Sequence, residues 1–127
     1  MKKIFQIGDK KHYKKEILAS DTAAFHNIEV HPVCATFVLA REIEWATRLF
    51  VLDMLDVDEE GMGTKLIINH LSPAKVGEEI GIEAWIISLE KNELICGYEV
   101  KVGDRLIANG ETGQKIFKKE KIKQILG

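Results

Sequence analysis

The sequence is short of the residues that staple, break or anchor a chain. Its two cysteines, Cys34 and Cys96, show no CxxC or Cys/His spacing, so they read as buried small hydrophobes rather than a disulfide or a structural metal site. Proline is as scarce: Pro32 biases His31 toward an extended conformation, and Pro73 with Ser72 breaks a strand. No run approaches the roughly 18 apolar residues of a membrane span, and the start MKKIFQIGDKK lacks the apolar stretch of a signal peptide. A soluble, cytoplasmic protein without a membrane partner is expected. Charge of one sign is missing too. Eighteen Lys and Arg against 20 Asp and Glu leave a net charge of -2, with no electrostatic footprint for nucleic acid. The lysines cluster only near the two ends, where they read as solvated strand ends and a frayed tail. At 127 residues the chain fits one domain, residues 1–127, large enough to bury a core without staples.

What the sequence does have is a central segment, Val33 to Leu55, reading VCATFVLAREIEWATRLFVLDML without Gly or Pro. Wound as a helix, it is about twice the mean helix length and apolar almost all round, so other structure must wrap it. Glu44, between Ile43 and Trp45, is the misfit, since an unpaired carboxylate would be costly if buried. The hydroxyl of Thr36 suits an N-cap, although no Glu or Gln at position 39 completes a capping box. Gly61 and Gly63 suit a helix stop after the acidic run DVDEEGMG.

Around this helix the pattern has period two. Residues 12–19 carry a weak strand signal, and residues 22–33 show no sustained period. Residues 64–71 form a strand with Leu66, Ile68 and His70 on one face and Ile67 and Leu71 on the other, so both faces look covered. Residues 79–89 follow as a strand, a loop around Glu90 to Asn92 turns into the next, in which Leu94 to Val102 alternate, and residues 105–117 make the last, with Gly103 and Asp104 as a hairpin turn before it. Short meander connections predict one antiparallel sheet curled around a single helix, an α+β architecture. A sheet with one helix to cover it leaves an open edge or surface, for which a homodimer is the natural completion.

Three residues do not suit their surroundings: Thr36, Glu44 and His70. An imidazole within reach of a carboxylate is the minimum for acid and base chemistry near neutral pH. Each also has a plainer reading. His70 fits a hydrogen-bonded core residue, Glu44 fits an ion pair with Arg41 or Arg48, and Thr36 fits a cap. Cys34 near a helix N-terminus, with His70, would make a Cys/His hydrolase, but packing suits that thiol better. His26 and His31 do not match a helical metal pair, and no Gly-rich nucleotide loop is present.

Three ordered segments then carry a likeness. Cys34-Ala35-Thr36 is followed eight residues on by Glu44-Trp45-Ala46; Gly63-Thr64 is followed by His70; and Pro73, Ala74, Val76, Gly77 and Glu78 form a turn before a long strand. Together they resemble the hotdog-fold thioesterases, and among them the fluoroacetyl-CoA thioesterase group, over roughly two thirds of the chain. The resemblance implies a hotdog fold of about five antiparallel strands around one long helix, and a homodimer with a cleft near its interface. It also implies metal-independent hydrolysis of a small acyl-CoA thioester, with coenzyme A present only as part of the substrate. Carried onto this chain, it makes Thr36, Glu44 and His70 the catalytic group. Gly63, Phe37 and Trp45 are then the substrate-binding residues, with Trp85 as a further space-filler. Glu44 would attack the thioester carbonyl or activate a water, and His70 would stabilise the oxyanion or protonate the leaving thiolate. The last strand departs from the family, which tends to place a His and an Arg near Thr112 and Gln114. A hotdog protein that binds an acyl-CoA or small ligand without turning it over is the alternative. A hotdog hydratase is disfavoured, because no Asp and His stand five residues apart on the long helix.

Overall fold

The computed structural model describes residues 1–25 and 28–127, and the side chains of these except residues 23–31. The elements run β1 (Lys10–Glu16), β2 (Thr22–Phe25), β3 (Ile28–Cys34), α1 (Thr36–Met54), β4 (Glu59–His70), β5 (Glu79–Glu90), β6 (Glu93–Val102), β7 (Arg105–Lys118) and α2 (Lys119–Leu126). Five strands form one antiparallel sheet in the order β1-β5-β6-β7-β4, and β2 pairs with β3 in a separate hairpin. That hairpin answers to no periodic signal in residues 22–33. His26 lies outside the described residues, and the side chain of His31 does too, so the metal-pair reading of these histidines does too.

The inner face of the sheet follows the period-two pattern closely. Ile80, Ile82, Ala84 and Ile86 of β5, and Leu94, Cys96, Tyr98 and Val100 of β6, are buried against Leu39, Ile43, Ala46, Phe50 and Met54 of α1. Burying a side chain of this size contributes roughly 1.5–3 kcal/mol, so this seam sets the rotation of the helix about its own axis.

Four local expectations change. The helix begins at Thr36 with Ala35 as its N-cap, and no side chain caps it. It ends at Leu55, whose extended backbone still donates its N–H to the Val51 carbonyl. The stop is made by the acidic turn, not by glycine: Asp56 N–H donates to Glu59 Oε1 at 2.9 Å, and Glu59 N–H to the Asp56 carbonyl at 3.0 Å. Gly61 and Gly63 belong to β4. A Cβ on Gly61 would sit 2.7 Å from Val51 Cγ1, so this glycine lets the strand approach the helix. The third change concerns β4 itself, which lies at the sheet edge with Leu66 and Ile67 exposed rather than covered on both faces. The lysine-rich tail is not frayed but forms the exposed helix α2.

A close approach fixes β4 near its C-terminal end. The buried Tyr98 hydroxyl donates to the Ile67 carbonyl at 2.7 Å, and a Cβ on Gly110 would meet that same oxygen at 1.9 Å. The carbonyl therefore leans into space that only glycine leaves open. Gly110→Ala must push β4 away or break the Tyr98 bond, at a cost of about 2–4 kcal/mol, whereas Tyr98→Phe loses about 1–2 kcal/mol. Urea unfolding of both variants checks this order; a Gly110→Ala protein as stable as the parent would refute the close approach.

Candidate active site

Residues two apart on a helix point about 200° away from each other. With the Ile43 face turned to the sheet, Glu42 and Glu44 cannot share an environment. Glu42 is the buried carboxylate, 7% exposed, and it accepts from the Tyr13 hydroxyl at 3.0 Å and from Arg41 Nη2 at 3.0 Å. Burial, then the neighbouring Glu42, pushes the Tyr13 phenol above its ordinary range. Asp21 completes this cluster, with Lys15 Nζ at 3.0 Å. Burial alone would raise the Asp21 carboxyl, but the Leu18 N–H and the Lys15 ammonium outweigh it and hold the group below the usual carboxylate range.

Glu44 is exposed, so the problem of a buried unpaired charge does not arise for it. Nor does it pair with either arginine on its helix. Arg41 goes to Glu42, and Arg48 Nη2 goes to Glu60 at 2.7 Å, holding that carboxyl below its ordinary range together with the Gly61 N–H. Among the described residues Glu44 has no side-chain partner.

Thr36 and His70 meet directly. Because Ala35 is the cap, the Thr36 hydroxyl is free of capping duty, and its Oγ1 lies 3.3 Å from His70 Nδ1 at the end of β4. Both side chains are exposed, so His70 is not a core residue. When Thr36 donates to Nδ1, the neutral ring carries its proton on Nε2 and presents a donor; in the other tautomer Nε2 is an acceptor. Glu44, eight residues further along α1, lies about 12 Å away along the axis. Within one chain the fold brings together two of the three expected catalytic residues and holds the third apart.

Glu44 has its own cavity of about 220 Å³, lined by Trp45, Gly63, Thr112 and Gln114 and rimmed by Arg41, Arg48 and Lys65. It opens where β4 is irregular: Gly63 pairs with Gln114 and Lys65 with Gly113, leaving Thr64 as a bulged residue. A Cβ on Gly113 would meet Thr64 Oγ1 at 2.8 Å, so the glycine admits the bulge. Of the expected binding residues, Gly63 and Trp45 line this cavity and Phe37 does not; it stands 61% exposed at the start of the helix. Trp85 is not near the site, because it covers Gly97, where a Cβ would lie 2.6 Å from its ring nitrogen, and it lines grooves on the other face of the sheet. Thr112 and Gln114 are buried polar residues on the inward face of β7. Their signal in the sequence was two polar residues, two apart, where that face should be apolar.

One helix wrapped by a five-stranded antiparallel sheet, with a carboxylate on the helix and a histidine on the edge strand, defines a hotdog protein of the thioesterase superfamily. The family model described as fluoroacetyl-CoA-specific thioesterase matches residues 17–120, and the chain belongs to that family. Among solved structures, a Thermus thermophilus thioesterase superfamily member is 27% identical with a TM-score of 0.91, covering 98% of this chain and 92% of that one. The fluoroacetyl-CoA thioesterase FlK is 19% identical with a TM-score of 0.88, covering 96% and 95%. A hot-dog-like protein from Thermanaerovibrio acidaminovorans is 14% identical with a TM-score of 0.86, covering 96% and 90%. No curated protein matched the sequence.

The thiols are placed against nucleophilic use. Burial, with Asp21 nearby, pushes Cys34 up to about 11, and burial pushes Cys96 up to about 12. At pH 7 both are thiols, not thiolates, so the Cys/His arrangement is unfavourable. The folded protein should leave both cysteines unlabelled by a disulfide dye at pH 7 and label fully in denaturant; rapid native labelling of Cys34 would contradict this.

Proposed function

We propose that this protein hydrolyses a short acyl-CoA thioester to the free acid and coenzyme A, without a metal, as a homodimer. The observation that carries this reading is the Thr36–His70 hydrogen bond, which aligns an imidazole at the edge strand while Glu44, without a side-chain partner among the described residues, stands at a separate cavity further along the helix. The exposed edge of β4 offers unpaired backbone to a second copy, and Leu66 and Ile67 offer apolar surface. Pairing there would set His70 of one subunit against Glu44 of the other, which the spacing within a single chain does not allow.

In this arrangement Glu44 supplies the base or nucleophile and His70 Nε2 donates to the oxygen of the tetrahedral intermediate, with Thr36 holding the ring. Water adds its oxygen to the acyl carbon, directly or after Glu44 has formed an acyl-enzyme anhydride, Glu44 takes the water proton, the C–S bond breaks and that proton passes to the leaving thiolate; no Lewis acid is required because the thioester is already activated. The cavity volume suits a short acyl group, and the neutral Thr112 and Gln114 at its floor argue against selectivity for fluoroacetyl over acyl groups of similar size.

Release of coenzyme A from a panel of acyl-CoA substrates, followed with a thiol-reactive dye, tests the activity. His70→Ala should lower kcat about 10²–10⁴-fold, and Thr36→Ala less. Saturable acyl-CoA binding with no thiol release over hours would instead make this a binding protein. Mixing inactive Glu44→Gln and His70→Ala subunits tests the shared site. After subunit exchange, one intact site should return in each mixed dimer, about a quarter of wild-type activity in all. No recovery despite exchange would place the site within one subunit.

A further inference from the structure

Three polar groups tie β7 to the middle of α1. The Thr47 hydroxyl, with 0% exposure, lies 3.1 Å from the Glu44 carbonyl oxygen and 3.3 Å from that of Ile43. Gln114 Nε2, on a side chain also buried, lies 3.2 Å from the same hydroxyl. A hydroxyl has one proton, and carbonyl oxygens only accept. The proton therefore goes to the helix, and the hydroxyl oxygen accepts from the Gln114 amide. This order of donors fixes the amide: its N–H faces Thr47, and its Oε1 turns away. Gln114 also lines the cavity that holds Glu44.

The consequence falls on Glu44. Its side chain has no partner among the described residues, so the backbone of its own turn sets where the carboxylate stands. A threonine that bonds back to the preceding turn bends a helix slightly, and here that hydroxyl is itself clamped from β7. A neutral buried hydrogen bond contributes only about 1 kcal/mol to stability. Displacing a reacting group by about 1 Å can cost on the order of a hundredfold in rate. A purely structural bond and a positioning bond therefore differ in which measurement they move.

We propose that Gln114 is a positioning residue for Glu44, acting through the Thr47 hydroxyl to hold the helix turn that presents the carboxylate to its cavity. The proposal rests on the reading of Glu44 as the reacting carboxylate. Gln114→Leu and Thr47→Val keep the side-chain volumes and remove the bonds. Each should lower kcat about tenfold with KM within twofold, and the double variant should be no worse than the worse single one. Thr47→Ser should recover what Thr47→Val loses. Amide hydrogen exchange at residues 45–48 should quicken about tenfold in both single variants.

Losses that multiply in the double variant would overturn the proposal, as would a lowered Tm with kcat unchanged. Unchanged exchange in Gln114→Leu would also overturn it, and that readout needs no turnover. A wild-type protein that hydrolyses no acyl-CoA overturns the catalytic reading instead, and the exchange data tell the two failures apart.

Discussion

The rotation of α1 about its axis is the constraint on which the rest of the molecule depends. The seam of Leu39, Ile43, Phe50 and Met54 against the inner faces of β5 and β6 admits one rotation, because turning the helix by even one residue would take several of these side chains out of the core. That rotation puts Glu42 inside and Glu44 outside. The inner carboxylate is met by Tyr13 and Arg41, with Asp21 and Lys15 beside them, so its charge is compensated. The outer carboxylate is exposed and has no side-chain partner among the described residues.

The start and the middle of the helix serve different ends. At the start, an alanine cap leaves a backbone terminus without a side-chain partner, and the hydroxyl one residue later goes across to His70. A capping bond is typically worth about 1 kcal/mol, so its absence is a modest loss of helix stability in exchange for an oriented imidazole. In the middle, Thr47 and Gln114 connect the helix to β7 beside the one irregular stretch of β4, where the Thr64 bulge opens a cavity. An edge position, a bulge and close glycine contacts at Gly61, Gly110 and Gly113 meet on β4, the strand that carries His70. On the far side of the sheet β1 and β5 pair without a register shift.

Much of this was legible in residue order. Alternation located β5, β6 and β7 to within a residue or so, because one face of each is buried and the other is not. The apolar run located α1, and the ordered segments around Thr36, Glu44 and His70 pointed to the family. Other features were hidden for physical reasons. The β2–β3 hairpin lies apart from the main sheet and its register is irregular, so no clean alternation marks it. Gly61 read as a helix stop because close packing against Val51 and a turn both select glycine. Whether Glu44 is buried stayed open in the sequence for an instructive reason: with apolar residues on nearly every side of the segment, periodicity alone does not fix the rotation. Trp45 and Leu52 stand exposed on the outer face of that helix.

Under the proposed reading, helix rotation divides the labour between two neighbouring carboxylates, Glu42 for stability and Glu44 for turnover. The most direct test measures kcat and Tm side by side for Glu42→Gln and Glu44→Gln. Glu42→Gln should lower Tm by several degrees and keep most of its turnover when folded, while Glu44→Gln should keep its Tm and lose turnover by about a hundredfold or more. The reverse pattern, with Glu42 needed for turnover and Glu44 for stability, would contradict it.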